Sequence, residues 1–164
     1  MPARASECAA PAPRLVLDTN TVLALWHFDD PVLAPLARII ETAQVTLGSR
    51  DDALAELRCV LAYPRFAIPA ARQADIVDRY QARLHPPVMA GVNCALPLCR
   101  DPDDQKFLEI ACEQAATHLL TRDRLLLKLG RHRLLRGAFR IMTPEHFQNL
   151  PRTASVANRN GLMP

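Results

Sequence analysis

Arg14-Leu-Val-Leu-Asp-Thr-Asn20 is a short apolar run stopped by a carboxylate and two small polar residues. A strand buried on both faces reads this way, because neither face needs a polar side chain, and it ends at Asp18. Working outward, comparable runs recur at 44–47, 118–121 and 139–142. Between them lie stretches with helical spacing. Residues 23–26 form a short helix, and 32–43 carry apolar residues at 33, 36, 39, 40 and 43. A helix capped by Ser49, with Asp51 and Asp52 in its first turn, runs to about Ala62 with Ala53, Leu57, Val60 and Leu61 inward. Further helices are expected over 70–84, from Pro102 to about Ala116, over 124–129, and from an N-cap at Thr143 with Pro144 at its first position. Residues 88–98 read as a strand and loop, and 133–138 as a turn or loop.

Strands alternating with helices imply an α/β fold with a central parallel sheet covered on both faces. Ligands of such sheets bind beyond the carboxyl ends of the strands. Asp18 and Asp123 fall at or just after strand ends, while Glu56 and Asp104 fall early on helices that open toward the same edge. Arg100-Asp-Pro-Asp-Asp104 deserves separate weighing, since capping and the helix dipole explain acids in a first turn. They explain Asp103. Asp104, however, lies on the line of Leu108, Ala111 and Ala115, the side that packs on a core, and Asp101 shares its face.

Several anions held together raise one another's pKa, and a divalent cation removes the conflict. Carboxylates without His or Cys suit Mg²⁺ or Mn²⁺, which activate water at a phosphodiester. Seven Lys or Arg against one acid between Arg122 and Arg140 form a basic face able to hold a phosphate backbone. Arg122, Arg124, Lys128, Arg131 and Arg133 are its candidate RNA-binding residues. The five histidines are scattered and read as surface or core residues.

At 164 residues, 49% hydrophobic and 23% charged, the chain has the makeup of one ordinary globular domain. The net charge of +3 excludes an argument from charge alone for a polyanion partner. Five cysteines, with no C-x-x-C pair, read as thiols of a reducing, cytoplasmic compartment; Cys59 and Cys112 sit in apolar stripes. Cys94, Cys99 and His85 lack the second pair a zinc site needs. Residues 1–13 read as a disordered leader, 14–150 as the domain and 151–164 as a flexible tail. The longest uncharged run, 86–99, is 14 residues with three prolines, too short and broken to span a bilayer.

Five segments in order resemble PIN-domain ribonucleases: Leu17-Asp-Thr-Asn20; Ala55-Glu-Leu57 with Val60-Leu61 and Pro64-Arg-Phe66; Arg100-Asp-Pro-Asp-Asp104; Leu120-Thr-Arg-Asp123; and Ile141-Met-Thr-Pro-Glu-His-Phe147. The last is similar to the ending of the subfamily that serves as toxins of toxin–antitoxin pairs. The resemblance implies a three-layer α/β/α sandwich and an endoribonuclease dependent on Mg²⁺ or Mn²⁺. It carries catalysis and metal binding onto Asp18, Glu56, Asp104 and Asp123, with Thr19, Asn20 and Asp101 auxiliary. It also implies an antitoxin partner and a homodimer or higher oligomer; the lack of a long apolar run implies no membrane. Two residues depart from the pattern: Gln105 stands where Asn is common, and Arg122 where a small residue is usual. They keep open a second reading, a catalytically weak PIN fold that binds RNA or a partner. A phosphotransferase using Asp18 as nucleophile fits less well, because Asn20 stands where a second acid is wanted.

Overall fold

The computed structural model describes residues 11–87 and 94–151. Strands β1 (Arg14–Leu17), β2 (Thr46–Gly48), β3 (His118–Leu120) and β4 (Arg140–Met142) form one parallel sheet in the order β2-β1-β3-β4. The four residues of β1 are all buried: Leu15-Val-Leu17 is apolar, as a central strand requires, and Arg14 donates to the His85 carbonyl at 3.0 Å. Successive side chains point to opposite faces, and the core divides accordingly. Leu15, Leu17, Leu47 and Leu120 pack under α1 (Thr19–Trp26), α2 (Ala34–Glu41), α3 (Asp51–Leu61), α4 (Ala70–Gln81) and α7 (Pro144–Gln148). Val16 and Leu119 pack under α5 (Gln105–Glu113) and α6 (Arg124–Leu129). Helices on both faces of an all-parallel sheet make this the expected α/β/α sandwich.

Local chemistry shifts several expected boundaries. α1 begins at Thr19, not Leu23, because Asp18 is its N-cap and accepts the Thr21 N–H at 2.7 Å. The helix expected over 32–43 divides into a 3₁₀ turn, Pro31–Leu33, and α2; Asp30 caps the turn through the Val32 N–H at 3.0 Å. The helix expected from Pro102 divides likewise. Pro102–Asp104 is a 3₁₀ turn capped by Asp101, and Asp104 stands at the N-cap of α5. Ser49 does not cap α3: Arg50 holds that position without a side-chain bond, and the Ser49 carbonyl accepts from Gln114 Nε2 at 2.9 Å. Residues 133–135 form a 3₁₀ turn.

The thiol readings also change. Cys112 is joined to Cys94 across 18 residues, tying the loop before α5 to that helix, a pairing spacing alone does not reveal. Cys59 is exposed, because the inward face of α3 is Ala53, Leu54, Leu57 and Leu61 with Val60 packed at its edge, and Cys59 falls outside it. Most of the expected leader (1–13), tail (151–164) and 88–98 segment, namely residues 1–10, 152–164 and 88–93, lies outside the described residues.

Gly48 ends β2 against α5. A Cβ there would meet Gln114 Oε1 at 2.8 Å and Gln114 Cβ at 3.1 Å, and the buried Gln114 side chain has little room to withdraw. Gly48→Ala is expected to cost about 1–3 kcal/mol in urea unfolding with an unchanged m-value; wild-type stability would show that α5 moves aside freely.

Candidate active site

The carboxyl edge of the sheet is where the chain leaves each strand, and there the acids gather. Asp18 follows β1. Its N–H donates to the Leu120 carbonyl at 3.1 Å, extending the ladder to β3 and fixing the backbone under the carboxylate. The side chain is almost wholly buried. Oδ1 accepts the Thr21 N–H, and Oδ2 accepts the Thr121 hydroxyl at 2.5 Å. Burial pushes the Asp18 carboxyl up, the Thr121 and Thr21 hydrogen bonds draw it back, and the charge of Asp123 adds to the rise.

Thr121 is the hinge of this arrangement. Its hydroxyl donates to Asp18 and accepts the Asp123 N–H at 2.9 Å. Asp123 in turn caps α6, its Oδ1 accepting from Leu125 and Leu126 N–H at 2.7 and 3.0 Å. One β-branched residue at the end of β3 thus links both strand-end acids. Sequence reasoning placed Thr121 within a motif without assigning it this role.

Glu56 comes from the other side, on α3. Thr19 Oγ1 donates to Glu56 Oε1 at 2.6 Å, and Lys106 Nζ closes on Oε2. Thr19 therefore joins α1 to α3, whereas Asn20 is exposed on the first turn of α1. Lys106, two residues after Asp104, carries no signal in the sequence: nothing in its spacing distinguishes it from a solvated lysine.

Asp104 is half-buried, and its carboxyl is pushed up to about 6. Burial is the largest cause, followed by the fields of Asp123, Asp101, Asp18 and Glu56. Four carboxylates, three of them from distant parts of the chain, thus act on one carboxyl. The same negative field, from Asp104, Asp101 and Asp123, adds to the burial that raises the Cys99 thiol. Asp101 and Asp103 are exposed.

The two departures from the motif pattern are both engaged elsewhere. Gln105 Oε1 accepts the Cys99 N–H at 2.6 Å and its Nε2 donates to the Pro97 carbonyl at 3.3 Å, so its longer side chain pins the loop before α5. Arg122 donates through Nε to Glu145 at 2.7 Å and through Nη2 to Asp30 at 2.8 Å. It bridges α7 and the turn after α1, and raises no pairing with Asp18, Asp104 or Asp123. Arg124, Lys128, Arg131 and Arg133 are exposed on α6 and the turn that follows.

The donor set is all oxygen, which fits a hard divalent cation, and the raised Asp104 carboxyl marks the repulsion such a cation would relieve. As the side chains stand, no group of three or more His, Cys, Asp or Glu among the described residues is disposed to hold a metal ion. Lys106 supplies Glu56 with a cation instead.

A family model described as PIN domain matches residues 14–125. No curated protein and no solved structure matches the chain.

The raised Asp104 value fixes a sign. Its folded value lies above the ordinary carboxylate range, so the folded protein binds more protons and loses stability as pH rises from about 4 through about 6, with no further loss from this group above that. In chelator at about pH 7.5, Asp104→Asn is expected to melt at a higher temperature than wild type, with the difference vanishing below about pH 4. Differential scanning calorimetry across pH checks this; a variant less stable at neutral pH would mean the acids do not repel as placed.

Proposed function

The chain belongs to the PIN domain family, a nuclease-type fold, and from that premise we propose that it is a metal-dependent endoribonuclease whose site is Asp18, Glu56, Asp104 and Asp123. The observation that carries the reading is the Asp104 carboxyl, raised by burial and by the combined fields of the other three site acids and Asp101. Asp18, Asp104 and Asp123 would hold Mg²⁺ or Mn²⁺, with Glu56 completing the set when it leaves Lys106. The cation, when bound, supplies an ionised water and stabilises charge growing on the phosphodiester. The chain's own residues do the rest. Thr21 and Thr121 hold Asp18 in one orientation, so its oxygens need not reorganise during reaction. The exposed Arg124, Lys128, Arg131 and Arg133 hold flanking phosphates, which makes binding weaken with salt. Arg122 acts chiefly as a brace between Asp30 and Glu145.

Asp18→Asn and Asp104→Asn are each expected to remove Mn²⁺-dependent cleavage of single-stranded RNA while the far-ultraviolet circular dichroism stays wild-type. Cleavage that persists in both variants, or in excess chelator, sinks the assignment.

The role as toxin of a toxin–antitoxin pair rests on the resemblance of the 141–147 ending, and with it an antitoxin partner and self-association. One observation favours the second reading, a weak or inactive binding module: Lys106 already neutralises Glu56. If Lys106 competes with the cation, calorimetric titration with Mn²⁺ should show Lys106→Met binding roughly tenfold more tightly than wild type, a gain of about 1.4 kcal/mol. Saturable Mn²⁺ binding by wild type supports the enzyme; binding by the variant alone supports the module.

A further inference from the structure

The chain has eight aromatic residues, and five of them, Trp26, Tyr80, Phe107, Phe139 and Phe147, are buried in the two cores. The other three meet in one place. Phe28 is 58% exposed and Tyr63 45%, and Phe66 is half-buried against the core beneath. The Phe28 and Phe66 rings lie 6.1 Å apart edge to face, with the His27 ring 4.5 Å from Phe28 and 5.9 Å from Phe66. Arg65 lays its guanidinium over both Phe66, at 4.7 Å, and Tyr63, at 5.3 Å. Among the described residues Arg65 has no carboxylate partner, unlike Arg50, Arg72 and Arg122. The platform is therefore two exposed rings, Phe28 and Tyr63, flanking a half-buried Phe66, with an unneutralised guanidinium laid against Phe66 and Tyr63. Ala67, left-handed at φ 48°, turns the chain sharply behind Phe66 and holds the 64–66 turn in place.

The patch lies past the end of α1, which Asp18 caps, and of α3, which carries Glu56, and two stretches of chain lead from it back to the acid edge. Tyr63 follows Glu56 by seven residues, about 10 Å along α3 and its end. Phe28 precedes by two residues Asp30, whose carboxylate takes the Arg122 guanidinium, and Arg122 is next to Asp123.

We infer that His27, Phe28, Tyr63, Arg65 and Phe66 form a subsite on which unstacked bases of single-stranded RNA lie while the neighbouring phosphate enters the acid site. The inference rests on the ribonuclease reading. Exposed rings supply faces for bases of any identity, and the arginine supplies charge for the backbone between them. Duplex RNA, whose bases are already stacked, gains nothing from such a surface. A hydrophobic protein partner would leave the arginine's charge unanswered, so RNA is the occupant favoured by charge complementarity.

The test is binding without cleavage, with the full chain in chelator. The probe is a short single-stranded oligoribonucleotide carrying 2-aminopurine, whose fluorescence falls when the base stacks on a ring. Wild type should bind and quench it. Phe28→Ala and Tyr63→Ala should each weaken binding roughly tenfold and restore fluorescence, while Phe28→Trp should retain both. On an oligomer with abasic residues in place of the bases, wild type and variants should bind equally. Variants that bind and quench as wild type does, or a wild type that neither binds nor quenches, would overturn the subsite. A protein that binds and quenches but cleaves under no metal condition would sink the nuclease reading and leave the subsite standing. Mn²⁺-dependent cleavage with unaltered binding by the variants would sink the subsite alone.

Discussion

The Thr121 hydroxyl donates to Asp18 Oδ2 and accepts the Asp123 N–H, and this two-way contact at the ends of β1 and β3 sets the geometry of the whole acid edge. A buried carboxylate is expensive to keep ionised unless donors reach it. Asp18 has two, one from its own helix start and one from the next strand. Both donors are fixed by secondary structure, so the charge is held in place without the freedom to turn away from Asp123 and Asp104. Burial first, and then the repulsion that results, push the Asp104 carboxyl up.

Elsewhere the chain spreads its ionic contacts so that the elements bearing these acids cannot drift apart. Arg50, at the start of α3, takes Asp52 together with Glu109 and Glu113 of α5, joining the helices that carry Glu56 and follow Asp104. Arg122 braces the Asp123 segment against α7 and the turn after α1. These pairs are partly exposed, and each contributes little to stability by itself. Their common effect is to hold position. Gln105 and the Cys94–Cys112 bridge do the same for the loop before α5.

Much of this was readable in the sequence because it depends on local pattern. A strand buried on both faces reads as Leu15-Val-Leu17, and an acid at its end must lie at the ligand edge of a parallel sheet. Asp18 and Asp123 follow from that rule, and the packed-side position of Asp104 separated it from Asp103. What escaped depends on contacts between distant residues. Lys106 reaches Glu56 fifty positions away, and Thr121 reaches Asp18 across 103. The Cys94–Cys112 pairing joins a loop to a helix. Helix starts depart from the periodicity where a capping carboxylate takes over: Asp18 begins α1 early, and Asp30 and Asp101 each cap a 3₁₀ turn where a helical first turn is expected. The gathering of Phe28, Tyr63 and Phe66 was invisible for the same reason, since it needs α1 and α3 to end side by side.

Anomalous scattering from crystals grown with Mn²⁺ addresses the central claim, that the edge acids form one cation site with Lys106 as its metal-free substitute. The expected map has a Mn²⁺ peak among Asp18, Asp104 and Asp123, with the Lys106 ammonium withdrawn from Glu56. A map with no peak at millimolar Mn²⁺, and Lys106 still closed on Glu56, would contradict it.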